Sequence, residues 1–119
     1  MDNNVGVGGD MGVNNNPSRL QIDTHLQNLQ EPARSAMVTI RNFVKSLGNN
    51  VIEEIRPHRI VYAKTLNFRT FLDVRPLGDS LAITIRKSRA GQPIQAAIKT
   101  VQDAEDIKLQ IAEAFERIQ

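Results

Sequence analysis

The chain has 119 residues, 40% of them hydrophobic and 24% charged, with no cysteine and a formal net charge of +2. These values suit one soluble globular domain; they exclude disulfides and thiolate chemistry, and no apolar run approaches the length of a membrane span. The small net charge hides a sorted distribution. Residues 56–99 hold nine basic residues against Asp73 and Asp79, a net of +7, whereas residues 1–55 and 100–119 are net acidic at −2 and −3. A basic middle of this kind draws polyanions towards one surface.

Residues 1–19 are rich in Asn and Gly and offer almost nothing to bury, so they are expected to form a disordered tail ahead of a single α+β domain at 20–119. The run Gly6-Val7-Gly8-Gly9-Asp10-Met11-Gly12 imitates a phosphate loop, but Met11 stands where the last glycine of the dinucleotide pattern belongs. No strand precedes the run and no Lys-Ser/Thr ends it. Asp23 or Thr24 is placed to cap a short helix carrying Leu26 and Leu29, and Pro32 interrupts it. From Ala33 the residues Ala36, Met37, Ile40, Phe43, Val44 and Leu47 recur at helical steps, and Gly48 is the natural stop. The adjacent carboxylates Glu53 and Glu54 are read as solvated turn charges, because neighbours on an extended chain point apart and cannot act on one substrate atom.

The period then becomes alternating. Arg59 to Lys64 reads as a strand with Ile60 and Tyr62 inward and Arg59 and Val61 outward. After a turn at Thr65-Leu66-Asn67, a second strand puts Phe68, Thr70, Leu72 and Val74 inward and Arg69, Phe71, Asp73 and Arg75 outward. Pro76-Leu77-Gly78-Asp79 is a turn, and Leu81, Ile83 and Ile85 line a third strand with Ala82, Thr84 and Arg86 opposite. Residues 94–101 form either a fourth strand, with Ile94, Ala96 and Ile98 inward and Gln95, Ala97 and Lys99 outward, or part of a helix that their alanines would also suit. Asp103 is placed to cap a last helix whose stripe is Ile107, Ile111, Ala114, Phe115 and Ile118. The expected fold is α+β: a two-layer sandwich with a three- to four-stranded antiparallel sheet and an N-terminal and a C-terminal helix on one face.

The segment Leu47-Gly48-Asn49-Asn50-Val51, the strand Ile60-Val61-Tyr62, the pair Asn67-Phe68 and Pro76 together resemble the domain-of-unknown-function family 5655, whose members are sometimes labelled predicted transport proteins. The resemblance spans residues 38–87. It implies a compact α+β module, found alone or joined to nuclease- and restriction-type domains, and it brings no catalytic residues with it. Arg59 stands where the family usually has an aromatic residue.

No catalytic or metal set emerges from the residues, and no cofactor is implied. His25 and His58 lie 33 apart without ligand spacing, and His58 reads as a surface turn residue. Asp73 followed on the next strand by Arg86-Lys87 suggests a nuclease, but the residues two before Lys87 and Arg86 are Ile85 and Thr84, so the second metal acid is missing. The outer sheet face is more informative. Arg59, Arg69, Phe71, Arg75, Arg86 and Lys99 are expected to share it, with Asp73 its one acid. An exposed aromatic among arginines stacks bases and neutralises phosphates, so the expected function is nucleic-acid contact by a non-enzymatic module. The alternative is a protein-interaction module that meets an acidic protein or a second copy of itself as a homodimer. The start of the chain has neither the basic residues nor the apolar stretch of a signal peptide, which makes the cytoplasm the expected location, with no membrane partner. Tyr62, Phe68, Leu72, Ile83 and Ile111 are expected in the core.

Overall fold

The computed structural model describes residues 21–118 apart from Leu66, Asn67 and Arg89. The expected tail and the glycine run at its centre lie outside the described residues, as do Leu66 and Asn67 of the turn expected at 65–67.

Two helices open the described chain, α1 (Ile22–Gln27) and α2 (Ala33–Lys45). The residue at the start of α1 is Gln21 and no side chain caps it, so Asp23 lies inside the first turn rather than at the cap. The Arg34 guanidinium fastens the connection, donating to the carbonyl oxygens of Leu26 and Leu29 at 2.8–3.1 Å. The apolar stripe of α2 is buried as its periodicity requires: Ala33, Ala36, Met37, Ile40 and Val44 are inaccessible to solvent.

Five strands follow, β1 (Val51–Ile55), β2 (Ile60–Lys64), β3 (Thr70–Pro76), β4 (Leu81–Ile85) and β5 (Ile94–Ile98). They form one antiparallel meander in the order β1-β2-β3-β4-β5. The sheet is therefore larger than the expected three to four strands. Residues 94–98 are a strand with Ile98 buried, and β1 occupies the place of an expected turn. β1 has only weak alternation in its sequence, because its inward position opposite Tyr62 is held by Glu53.

At the C-terminal end the single expected helix is two, α3 (Val101–Asp106) and α4 (Lys108–Arg117), broken at Ile107. Thr100 rather than Asp103 is the cap. Its hydroxyl accepts from the Asp103 N–H at 3.1 Å, and the Asp103 carboxylate accepts from the Lys99 and Thr100 N–H groups at 2.9 and 3.2 Å. This reciprocal capping box satisfies helix-end donors from both directions. The backbone N–H of Lys99, together with those from Thr100, holds the Asp103 carboxyl below the usual carboxylate range.

All four helices cover one sheet face. Ile60, Tyr62, Leu72, Val74, Leu81 and Ile85 meet Met37, Ile40, Val44, Ile111 and Ala114 there in one core. Among the described residues, the other face has no helix on it. One irregularity decides which residues reach that open face. Tyr62 pairs with Leu72 and Ala63 with Thr70, which leaves Phe71 as an extra residue on β3. Such a bulge breaks the alternation of the strand. Phe71 and Leu72 both turn towards the helices, and Phe71 is fully buried, packed edge to face on Phe115 with ring centroids 5.3 Å apart. Thr70, opposite Ala63, is accordingly outward instead of inward. Phe68, expected in the core, stands at φ 53 in the hairpin end and is 74% exposed.

Candidate functional site

Strand register places the side chains of the open face in rows. Glu54, Val61, Asp73, Thr84 and Gln95 lie side by side across the five strands, and the next row carries Arg75, Ala82 and Ala97. Most of these side chains are short, and Arg75 is the longest in the two rows. A depression of about 390 Å³ runs over β4 and β5 beside Arg75, floored by Ala82, Thr84, Gln95 and Ala97.

The acids of this face are occupied. Asp73 receives Arg59 at 2.9 Å, and Glu54 receives Arg56 at 2.9 Å. Arg75 and Arg86 have no carboxylate partner among the described residues. Two lysines of the middle segment are engaged by the helix layer. Lys87 pairs with Glu113 at 3.0 Å, and its hydrogen bond keeps that carboxyl below its ordinary range. Lys64 lies over the Phe115 ring at 5.0 Å and donates to the carbonyl oxygens of Glu116 and Ile118. Of the basic residues of 56–99, Lys64 and Lys87 are thus engaged by the helix layer and Arg56 and Arg59 by acids of the sheet, while Arg75 and Arg86 have exposed side chains.

Of the six side chains expected together, Arg75 lies in the outward row of β3, Arg59 reaches the outward Asp73 from just before β2, and Arg86 and Lys99 follow β4 and β5 at their ends. Arg69 does not join them. It stands one residue before Thr70, on the opposite parity, and shares with Arg86, Thr70, Ser88 and Ile118 a hollow of about 250 Å³ at the end of the sheet. Phe71 cannot stack on anything from outside, because the bulge has put it in the core. Phe68, next to Arg69, is the exposed aromatic among the described residues.

A second polar constellation was not legible in the sequence. The Glu53 carboxylate, taken for a solvated turn charge, is nearly buried between sheet and α2. It accepts two hydrogen bonds from the Arg41 guanidinium at 2.7 and 2.9 Å and one from the Tyr62 hydroxyl at 2.8 Å, with the Lys45 ammonium 3.6 Å away. Burial raises the Glu53 pKa, but the bonds from Arg41 and Tyr62 outweigh it and leave the group below its ordinary value. Burial, and then the charge on Glu53, drive the Tyr62 phenol upward. Every member is satisfied within the cluster, which suits a fastener between layers better than a reactive site. Only the i, i+4 spacing of Arg41 and Lys45 hinted at a carboxylate partner.

Among the described residues, no group of three His, Cys, Asp or Glu side chains is placed to hold a metal ion, and no helix is long and apolar enough to cross a membrane. No protein family, characterised protein or solved structure matches the chain, and the family resemblance rests on the residues quoted for it alone.

Proposed function

We propose that this chain is a small non-enzymatic binding module that meets nucleic acid through the open face and basic end of its sheet. The observation that carries the reading is the pairing pattern of charge: both acids on the face, Glu54 and Asp73, are neutralised, while Arg75 and Arg86 lack a carboxylate among the described residues. Short neighbouring side chains at Ala82, Thr84 and Ala97 leave room for a phosphate backbone to approach them. With Phe71 in the core, base stacking passes to Phe68, at the basic end near Arg69 and Arg86. Contacts of this kind position a strand and carry little sequence information.

Fluorescence anisotropy with single- and double-stranded oligonucleotides at several salt concentrations tests the reading. About three phosphate contacts give a log–log salt slope near −2 to −3, and Arg86→Ala should flatten it by about one unit. Phe68→Ala should weaken single-stranded binding by about 1–3 kcal/mol and leave the fold intact. No binding at low salt, or binding indifferent to both substitutions, removes the nucleic-acid reading.

One observation favours a second reading. Among the described residues β5 is an edge strand with no neighbour on its outer side, and the open face beside it is largely small and neutral. Those features suit a homodimer or an acidic protein partner adding to the sheet. Sedimentation equilibrium at increasing protein concentration distinguishes self-association from a monomer.

A further inference from the structure

At the end of the sheet opposite Phe68, three segments enclose a hollow of about 360 Å³: the end of α1, the β1–β2 turn and the β3–β4 turn. Its polar wall is made by Arg75, His58 and Asn28, and its apolar wall by Pro57, Pro76 and Leu77. Among the described residues no carboxylate lines it. The volume falls near the lower end of small-molecule sites, and its lining is more polar than apolar.

The enclosure is held from several directions. The buried His25 ring donates from Nε2 to the Arg56 carbonyl at 2.7 Å, fixing the back wall to the β1–β2 turn, and the Arg56 N–H donates to the Arg59 carbonyl at 2.8 Å. The Gln30 N–H donates to the Gly78 carbonyl at 2.7 Å, tying the β3–β4 turn to the chain between α1 and α2. Gly78 has φ +89, a conformation that a side chain would strain, so the rim depends on glycine there. The three segments are far apart in sequence, yet each is anchored by backbone bonds that leave the side chains of Arg75, His58 and Asn28 available.

We propose that this hollow binds a phosphate monoester, with Arg75, His58 and Asn28 on the phosphate and the organic body against Pro57, Pro76 and Leu77. The guanidinium offers paired N–H donors in a plane, the imidazole and the amide add donors from other directions, and that spread matches the three terminal oxygens of a phosphate monoester better than the two of a carboxylate. Leu77, 52% exposed at the rim, is the surface an organic group would cover. This site stands apart from the nucleic-acid reading except that Arg75 borders both the face and the hollow.

The test is a heteronuclear chemical-shift titration of the full chain with inorganic phosphate, adenosine 5′-monophosphate and adenosine. Adenosine monophosphate should shift amides of residues 25–28, 57–58 and 75–78, phosphate should shift a subset of them, and adenosine should shift none. His58→Ala and Asn28→Ala replace exposed side chains, and each should weaken adenosine monophosphate binding by about tenfold, the size of one lost charge-assisted or well-placed hydrogen bond. Arg86→Ala should leave this binding unchanged while altering oligonucleotide affinity, which separates the two sites. Equal shifts with adenosine, shifts centred on residues 68–70 and 86–88, or affinity that ignores His58→Ala and Asn28→Ala would overturn the proposal.

Discussion

Phe71→Ala tests the bulge on which the reading of the open face depends. The ring is inaccessible to solvent and packs edge to face on Phe115. Burying a phenyl side chain removes about 150–200 Å² from water, worth about 4–5 kcal/mol at about 25 cal/mol per Å², of which an alanine retains roughly a quarter. Loss of the edge-to-face pair adds about 0.5–1.5 kcal/mol. The expected destabilisation is about 4 kcal/mol, within the range of buried phenylalanine truncations and a large share of the total stability of a small domain. Urea titration followed by circular dichroism measures it, with Phe68→Ala as the internal comparison. The exposed Phe68 should change stability by no more than about 0.5 kcal/mol. A cost below about 1 kcal/mol for Phe71→Ala would mean that strict alternation persists along β3 and that the aromatic ring lies on the open face after all.

Glu53→Ala should cost about 2–4 kcal/mol in the same titration, because Arg41 and the Tyr62 hydroxyl lose their shared acceptor in a nearly buried place; a surface-like effect of a few tenths would refute the cluster. The lowered Glu53 pKa also sets a sign. The unfolded chain binds the proton more readily, so this contribution is complete above about pH 4.5, the ordinary value, and is lost as pH falls through the depressed folded value. Acid unfolding of Glu53→Gln should accordingly depend less on pH in that window than that of the parent chain. Thr100→Ala should cost about 1 kcal/mol by removing the α3 cap, measured by thermal unfolding, whereas Asp103 as sole cap would make Thr100 neutral.

The parts of the fold legible in the sequence are those where a residue's partner lies on its own element. Leu81, Ile83 and Ile85 alternate because β4 is central and faces one core, and the α2 stripe repeats because a straight helix buries one side. Arg75 follows the same logic on the outward side of β3. The failures share one cause, a determinant outside the local pattern. β1 carries Glu53 where an apolar residue would announce a strand, and that carboxylate is tolerated only because Arg41, twelve residues earlier, and Tyr62, nine later, converge on it. The bulge at Phe71 reverses the parity of everything before it on β3, which moved Phe71 and Arg69 off the open face and Thr70 onto it. The break at Ile107 is invisible to periodicity, since Ala104, Ile107, Ile111, Ala114 and Ile118 make one continuous buried stripe across both helices.

The strand order equals the chain order, and this has a kinetic consequence. Every pair in the sheet closes through a connection of four to eight residues, so the loop entropy lost before the first native contacts form is small and the meander should assemble quickly for a β-rich domain. The closest helix packing is the opposite case: α2 and α3 meet from segments separated by more than fifty residues, with Ala36 and Ala104 both fully buried. That seam is expected to close after the rate-limiting barrier. Enlarging Ala36 or Ala104 should then leave the folding arm of a chevron plot nearly unchanged and steepen the loss of native molecules through the unfolding rate. The lifetime of the native state would be set where the helices flanking the sheet in sequence are joined, and its rate of formation by the sheet between them.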